Sequence, residues 1–177
     1  MKALVVYESM YGNTRRVAEA IGAALGGAAD VSVVRADDPS AAAVSGVDLL
    51  VLGAPTHGWS LPRASTRRGA GGKKGGTAPS LEPGATEAPG VRELLDTLSG
   101  GAAAACFDTR RRAPKWLTGR ASRVIATSLR QRGFELVAEP ESFLVDRRDQ
   151  LVAGEIEHAT VWGSHLRHVM DVHVGRG

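Results

Sequence analysis

Hydrophobic residues along this chain alternate between two patterns. Short, nearly continuous apolar runs are typical of strands that are buried on both faces. They lie at Lys2 to Tyr7, Val31 to Arg35, Leu49 to Gly53 and Ala102 to Phe107, with a last one within Glu135 to Val145. Between these runs, apolar residues recur every three or four positions, as on one face of a helix. The order β-α-β-α-β-α-β-α-β predicts a parallel sheet with crossover helices.

The predicted helices each carry one apolar stripe that would face the sheet. They run from about Asn13 to Leu25, from Val91 to Leu98, from Leu117 to Ser128 and from Val152 to Met170. Residues 63–90 do not fit this pattern, because they are rich in Gly, Pro and small polar residues with almost nothing to bury. We expect an insertion that is disordered. Its "GGKKGGT" resembles a phosphate-binding P-loop only superficially, since the spacing differs and no strand and helix flank it.

The length of 177 residues and the apolar content of 43% are sufficient for one domain with a substantial core. We expect residues 1–177 to form that single domain, with 63–90 as an insertion within it. No apolar run approaches the ~20 residues of a membrane span, and the N-terminus lacks a signal-peptide pattern. A cytoplasmic protein is therefore expected. The single cysteine, Cys106, excludes an intrachain disulfide, and its apolar surroundings favour a buried, inert thiol.

Charge is distributed unevenly. Residues 63–132 carry a net charge of +9, whereas the segments before and after them are net negative. No acidic residue occurs between Thr109 and Phe134, where eight arginines and lysines crowd together. Such a stretch could bind nucleic acid, but no aromatic residues interleave it for base stacking, and a solvated basic helix face is commoner.

The segment "YESMYGNTRR", residues 7–16, follows the first predicted strand and contains three hydroxyl side chains before the first helix begins. In an open parallel sheet, ligands bind beyond the carboxyl ends of the strands. Backbone N–H groups at a helix start, with the hydroxyls of Ser9, Tyr11 and Thr14, could hold a phosphate there, and Gly12 would allow close approach. The absence of further glycines argues against a dinucleotide loop and favours one terminal phosphate. The alternative is a capped helix start, with Ser9 or Asn13 as the cap and no ligand.

Two further loops end neighbouring predicted strands. The third strand is followed by "GAPTHGWSLP", an irregular loop with a large aromatic residue, and the fourth by "CFDTRR". Hydroxyls, an aromatic face and polar backbone groups at one sheet edge suit a phosphorylated planar heterocycle. The three loops together favour a ligand site over a helix cap alone.

The chain resembles the flavodoxin-like family, whose phosphate loop [ST]-x-[ST]-G-x-T is matched by Ser9, Tyr11, Gly12 and Thr14, with Tyr11 at the usual middle Ser or Thr. This resemblance implies a three-layer α/β sandwich with a five-stranded parallel sheet of order 2-1-3-4-5, helices on both faces and FMN as cofactor. The cofactor-binding residues that it implies are Ser9, Met10, Tyr11, Gly12, Asn13, Thr14, Pro55, Thr56, His57, Gly58, Trp59, Phe107, Asp108, Thr109 and Arg110.

Flavin would supply the redox reactivity, so no catalytic side chain is predicted. The resemblance implies that the His57–Gly58 peptide rotates as the flavin is reduced, and Arg110, Arg111 and Arg112 would raise the midpoint potential above that of an acidic flavodoxin. An electron-transfer carrier is the favoured interpretation, with a redox partner that is acidic at its docking surface. The alternatives are an FMN-dependent NAD(P)H:quinone-type oxidoreductase and a binding module that uses the basic segment 109–134.

Three histidines fall roughly on one face of the last predicted helix, at His158, His165 and His168. Because no cysteine or clear carboxylate partner accompanies them, we predict a polar helix face and no metal site.

Overall fold

The computed structural model describes residues 1–27, 30–57, 59–71, 80–113 and 119–174. Its strands are β1 (Lys2–Tyr7), β2 (Asp30–Arg35), β3 (Leu49–Pro55), β4 (Ala103–Arg111), β5 (Glu135–Leu136) and β6 (Glu141–Val145). Its α-helices are α1 (Asn13–Leu25), α2 (Ala64–Gly71), α3 (Val91–Thr97), α4 (Ala121–Gln131) and α5 (Glu155–Val174), with a 3₁₀ helix at Pro39–Ala42. None of the helices in the described residues is long and apolar enough to cross a membrane.

The strands form one parallel sheet in the order β2-β1-β3-β4-β5, and β6 also pairs with β4. The predicted α/β fold and strand order are therefore confirmed. In this order β1 has a parallel partner on each side, with the chain crossing over between partners. The carboxyl ends of β1, β3 and β4 consequently lie side by side, which places the loops that follow them at one edge of the sheet.

The position of the fifth strand is divided between β5 and β6. β5 pairs with the start of β4, at Ala103 and Ala104, whereas β6 pairs with its end, from Phe107 to Arg111. Pro140 lies between the two strands and has no N–H to donate to a ladder. The single strand predicted within Glu135 to Val145 is therefore two short ones, and the sheet has six strands.

Alternate strand residues pack on opposite faces of the sheet, which gives the molecule two cores. One face packs against α3 and α4 through side chains such as Leu50, Leu95 and Ile125. The other packs against α1 and α5 through side chains such as Val51, Ile21 and Leu166. The predicted three-layer arrangement with helices on both faces follows from this division.

Residues 63–90 contain regular structure where none was predicted. The structure has α2 over Ala64–Gly71, and Ala85 in the later part of the segment is buried. The prediction failed at α2 because this helix has no large apolar side chain to mark it in the sequence. Residues 72–79 lie outside the described residues.

Candidate functional site

A pocket of about 500 Å³ opens at the carboxyl ends of β1, β3 and β4. Its walls come from the three loops that the sequence singled out, together with α2 and the end of β6. The lining residues are Ser9, Met10, Tyr11, Asn13, Thr14, Pro55, Thr56, His57, Trp59, Thr66, Gly69, Thr109, Arg110, Arg111, Val145 and Asp149. The structure thus brings most of the predicted cofactor-binding residues into one cavity.

The loop from Ser9 to Thr14, which we call the phosphate loop, is a tight turn into α1. Gly12 has a φ of 83°, a left-handed conformation that glycine adopts without steric cost, and its N–H donates to the Ser9 hydroxyl over 3.1 Å. The Thr14 hydroxyl lies 2.8 Å from the Thr109 hydroxyl, which joins the loop to β4. Ser9, Asn13 and Thr14 are all buried at the base of the pocket.

The first turn of α1 has no side-chain cap in the part of the chain that the structure describes. Asn13 instead donates from its amide nitrogen to the carbonyl oxygen of Asp149 over 2.7 Å, and the first turn contains no acidic residue. Within the described residues, neither Ser9 nor Asn13 therefore caps the helix with its side chain, as the alternative without a ligand assumes. The first turn of the helix, with the positive end of its dipole, lies at the pocket through Asn13 and Thr14, which is the arrangement that binds an anion.

The loop after β3 is held in place from two sides. Thr56 donates its N–H to the carbonyl oxygen of Thr109 over 2.8 Å, and its hydroxyl accepts from the N–H of Ala121 at the start of α4 over 3.0 Å. His57 and Ser60 exchange two backbone hydrogen bonds of 2.9 and 3.1 Å. Gly58 lies outside the described residues, so the role of the His57–Gly58 peptide stays a prediction.

Trp59 stands at the rim of this loop with 66% of its surface exposed and a φ of 72°, which is unusual for a large side chain. It forms a β-bridge with Gly119, the residue that precedes α4 by two positions. A large aromatic side chain that stays exposed beside a pocket offers a flat face to a ligand or partner.

The third predicted loop is partly a strand. β4 continues to Arg111, so Phe107 and Asp108 are buried within it and are not among the residues that line the pocket. Burial raises the pKa of the Asp108 carboxyl, and its Oδ2 accepts from the N–H and hydroxyl of Ser122, over 2.9 and 2.7 Å, which opposes that rise. Asp108 therefore holds the start of α4, while Thr109 and Arg110 do line the pocket.

The structure also adds residues that the sequence reasoning missed. Thr66 and Gly69 come from α2, and Val145 and Asp149 come from the end of β6 and the loop after it. Arg111 lines the same side and pairs through Nη2 with the Asp149 carboxylate over 2.8 Å. Of these residues, the sequence pointed only to Arg111, through the run of arginines that follows Phe107.

The arginines of the basic stretch do not form one continuous face. Arg110 lines the pocket, Arg120 donates to the Pro140 carbonyl oxygen and the Ser142 hydroxyl, and Arg132 pairs with Asp96 over 2.8 Å. This dispersion gives no support to a binding module that uses segment 109–134. Among the described residues no three His, Cys, Asp or Glu side chains cluster as metal ligands would, and His158 lies 3.3 Å from Glu155.

The Cys106 thiol is expected not to react in the folded protein. Its side chain is fully buried, its sulfur donates to the Ser122 carbonyl oxygen over 3.3 Å, and burial raises its pKa to about 12. A disulfide reagent at neutral pH should label the native protein only as fast as it unfolds, and should label one thiol per chain at once in denaturant. Rapid labelling under native conditions would show that this part of β4 is open.

Comparisons with known proteins agree with this geometry. The family model for the flavodoxin domain matches residues 4–66, which include β1, the phosphate loop and β3. A flavodoxin from the domain Archaea aligns with a TM-score of 0.66 and 19% identity, over 97% of this chain and 99% of that one. Flavodoxin 1 from Bacillus cereus aligns at 0.63 and 21%, over 93% and 95%. No curated protein sequence matches the chain.

A second kind of neighbour has the same fold. The flavodoxin, WrbA-like protein from Agrobacterium tumefaciens aligns with a TM-score of 0.59 and 17% identity, over 97% of this chain and 98% of that one. These structural alignments show the fold over nearly the whole chain, and the family model adds the sequence match around the phosphate loop. The chain therefore has the flavodoxin-like fold, and residues 4–66 match the model of the flavodoxin domain.

Proposed function

We propose that the pocket binds FMN and that the protein is an electron-transfer carrier. The observation that carries this proposal is the start of α1, which has no side-chain cap among the described residues and opens into the pocket. A phosphate monoester would accept hydrogen bonds from the N–H groups of Asn13 and Thr14 and from nearby hydroxyls. The cavity volume of about 500 Å³ lies within the range of cofactor pockets.

The remaining walls suit a planar ring system. Pro55, Thr56 and His57 line one side, Thr109 and Arg110 line the base, and Trp59 offers an aromatic face at the rim. When bound, FMN would supply the redox chemistry, and the protein would determine its position and electrostatic surroundings. Positive charge at Arg110 and Arg111 favours a negatively charged reduced ring, so we expect a midpoint potential above that of acidic flavodoxins.

The pocket is flanked by exposed arginines that we call the cationic rim. Arg111 lines the pocket itself, and the others lie within three positions of a lining residue in the sequence: they are Arg63, Arg68, Arg112, Arg147 and Arg148. Asp146 and Asp149 offset only part of this charge. A carrier that docks with its ring edge toward a partner would therefore fit an acidic redox protein, because opposite charges steer encounter and orientation.

FMN binding is tested by absorption and calorimetry. The purified protein, or the protein mixed with FMN, should show flavin bands near ~375 and ~450 nm, and FMN should bind more tightly than riboflavin because only FMN carries the phosphate. A colourless protein that releases no heat with FMN contradicts the proposal. Rapid oxidation of a nicotinamide cofactor by a quinone without any partner protein would instead favour the alternative oxidoreductase, while no such turnover supports the carrier.

The cationic rim predicts a salt dependence of the carrier reaction. We expect the rate of electron transfer to an acidic redox protein to fall about tenfold between about 0.01 and about 0.15 M salt, as the Debye length shortens from about 30 to about 8 Å. Stopped-flow measurement with an acidic and a basic acceptor of similar potential would show it. A faster reaction with the basic acceptor, or no salt effect, would mean that the rim does not select the partner.

A further inference from the structure

Helix α2 forms one wall of the pocket without belonging to either core. Thr66 and Gly69 of this helix face the cavity. Among its described side chains, residues 64–69, only Arg67 is buried, with 3% of its side chain exposed. A helix with the sequence "ASTRRGAG" has no apolar face to bury, so the hydrophobic effect does not hold it in place.

Arg67 contacts two carboxylates on separate elements. Its Nη1 lies 3.5 Å from Oε1 of Glu8, and its Nη2 lies 3.0 Å from Oε1 of Glu93 in the first turn of α3. Glu8 has only 6% of its side chain exposed, and its other oxygen accepts from the N–H of Val91 over 3.0 Å. We call Arg67, Glu8 and Glu93 the Arg67 latch.

The latch joins α2 directly to the phosphate loop, because Glu8 is the residue before Ser9. A guanidinium group removed from water must keep its charged partners, so the planar group of Arg67 fixes where α2 lies. A separate contact holds the chain before α2, since Arg92 donates to the carbonyl oxygens of Leu61 and Pro62 over 2.8 and 3.1 Å. Loss of the latch would therefore release α2 and leave Leu61 anchored.

We infer that Arg67 is a positioning residue, which closes the wall of the FMN pocket by fixing α2 against the end of β1. This inference rests on the proposed function only for the identity of the ligand. The position of α2 itself is a property of the chain without ligand, and the two can be tested separately.

The test uses a pair of substitutions that removes both buried charges. Arg67→Met alone would leave Glu8 buried without its counterion, whereas Glu8→Gln combined with Arg67→Met leaves only Glu93 without its partner, and 39% of the Glu93 side chain is exposed to water. Ser65→Ala, at an exposed position on the same helix that belongs neither to the pocket lining nor to the cationic rim, is the control. Hydrogen exchange of the α2 amides, followed by mass spectrometry on the protein without FMN, reports whether α2 stays in place. The release rate of FMN reports on the pocket wall.

In the double variant we expect the α2 amides to exchange at least tenfold faster than in the wild type, with β1 and β3 unchanged, and FMN to leave at least tenfold faster. Ser65→Ala should match the wild type in both measurements. If the double variant does not fold, Arg67→Lys, which keeps the charge but cannot bridge both carboxylates equally well, should give a smaller change in the same direction.

Equal α2 exchange in the wild type and the double variant would overturn the inference. So would faster exchange of α2 with an unchanged release rate of FMN, because α2 would then not restrain the ligand. If the wild type binds no FMN but α2 exchange still depends on Arg67, the proposed function fails, while the role of Arg67 in fixing α2 stands.

Discussion

Ser9→Asp is expected to weaken FMN binding about 100-fold and to leave riboflavin binding within about twofold. The Ser9 hydroxyl accepts from the N–H of Gly12, and an aspartate carboxylate can accept the same hydrogen bond at a helix start, so the loop should keep its shape. The new charge, however, competes with the phosphate for the N–H groups and repels it. Two like charges about 4 Å apart repel by about 4 kcal/mol at an effective dielectric constant of 20, and 100-fold corresponds to about 2.7 kcal/mol.

Ser9→Asn is the control for this prediction, because asparagine has the same shape as aspartate and no charge. Titration calorimetry with FMN and with riboflavin on all three proteins would isolate the effect of charge on the phosphate. If Ser9→Asp weakened riboflavin binding as strongly as FMN binding, the substitution would be disturbing the fold and not the phosphate. If it weakened neither, the phosphate would lie elsewhere and the proposed orientation of FMN would be wrong.

Gly119→Ala is expected to weaken FMN and riboflavin binding alike, by at least tenfold. Gly119 has a φ of 68°, and a Cβ atom there would overlap the carbonyl oxygen of Trp59. The overlapped atoms belong to the backbone, which cannot rotate away as a side chain can, so the loop from His57 to Ser60 must move. Because this loop would contact the ring and not the phosphate, the two ligands should lose affinity equally.

Gly46→Ala is the control that separates the effect of steric overlap from the effect of backbone strain. Gly46 has a similar φ of 71°, but a Cβ atom there would meet nothing within 4 Å, and Gly46 does not line the pocket. The Gly46→Ala variant should lose about 1–2 kcal/mol of stability, as expected for an alanine in the left-handed backbone conformation, and its affinity for FMN should be unchanged. Thermal unfolding and calorimetry on both variants give the comparison. Equal affinity of Gly119→Ala and the wild type would show that the loop does not contact the ring.

The sequence alone determined the alternation of strands and helices and the presence of a hydroxyl-rich turn, the phosphate loop, before α1. Both depend on neighbouring residues: a buried strand is a short apolar run, and α1 begins at Asn13 as predicted because Gly12 and the hydroxyls before it form a local turn. The order of the sheet followed from the family resemblance that this loop carries. These features could be predicted because each one is encoded within a few consecutive positions.

The tertiary structure alone decided which side chains complete the pocket. Asn13 donates to the Asp149 carbonyl oxygen 136 positions away, and Thr56 holds the start of α4, although the sequence predicted it only as a cofactor-binding loop residue. Phe107 is buried because its ring packs against Phe143 of β6 and Trp162 of α5, which lie far along the chain. The wall formed by α2 depends on a buried ion pair, which leaves no periodic pattern in the sequence. Contacts between distant segments depend on how the chain folds back on itself, and no local pattern specifies them.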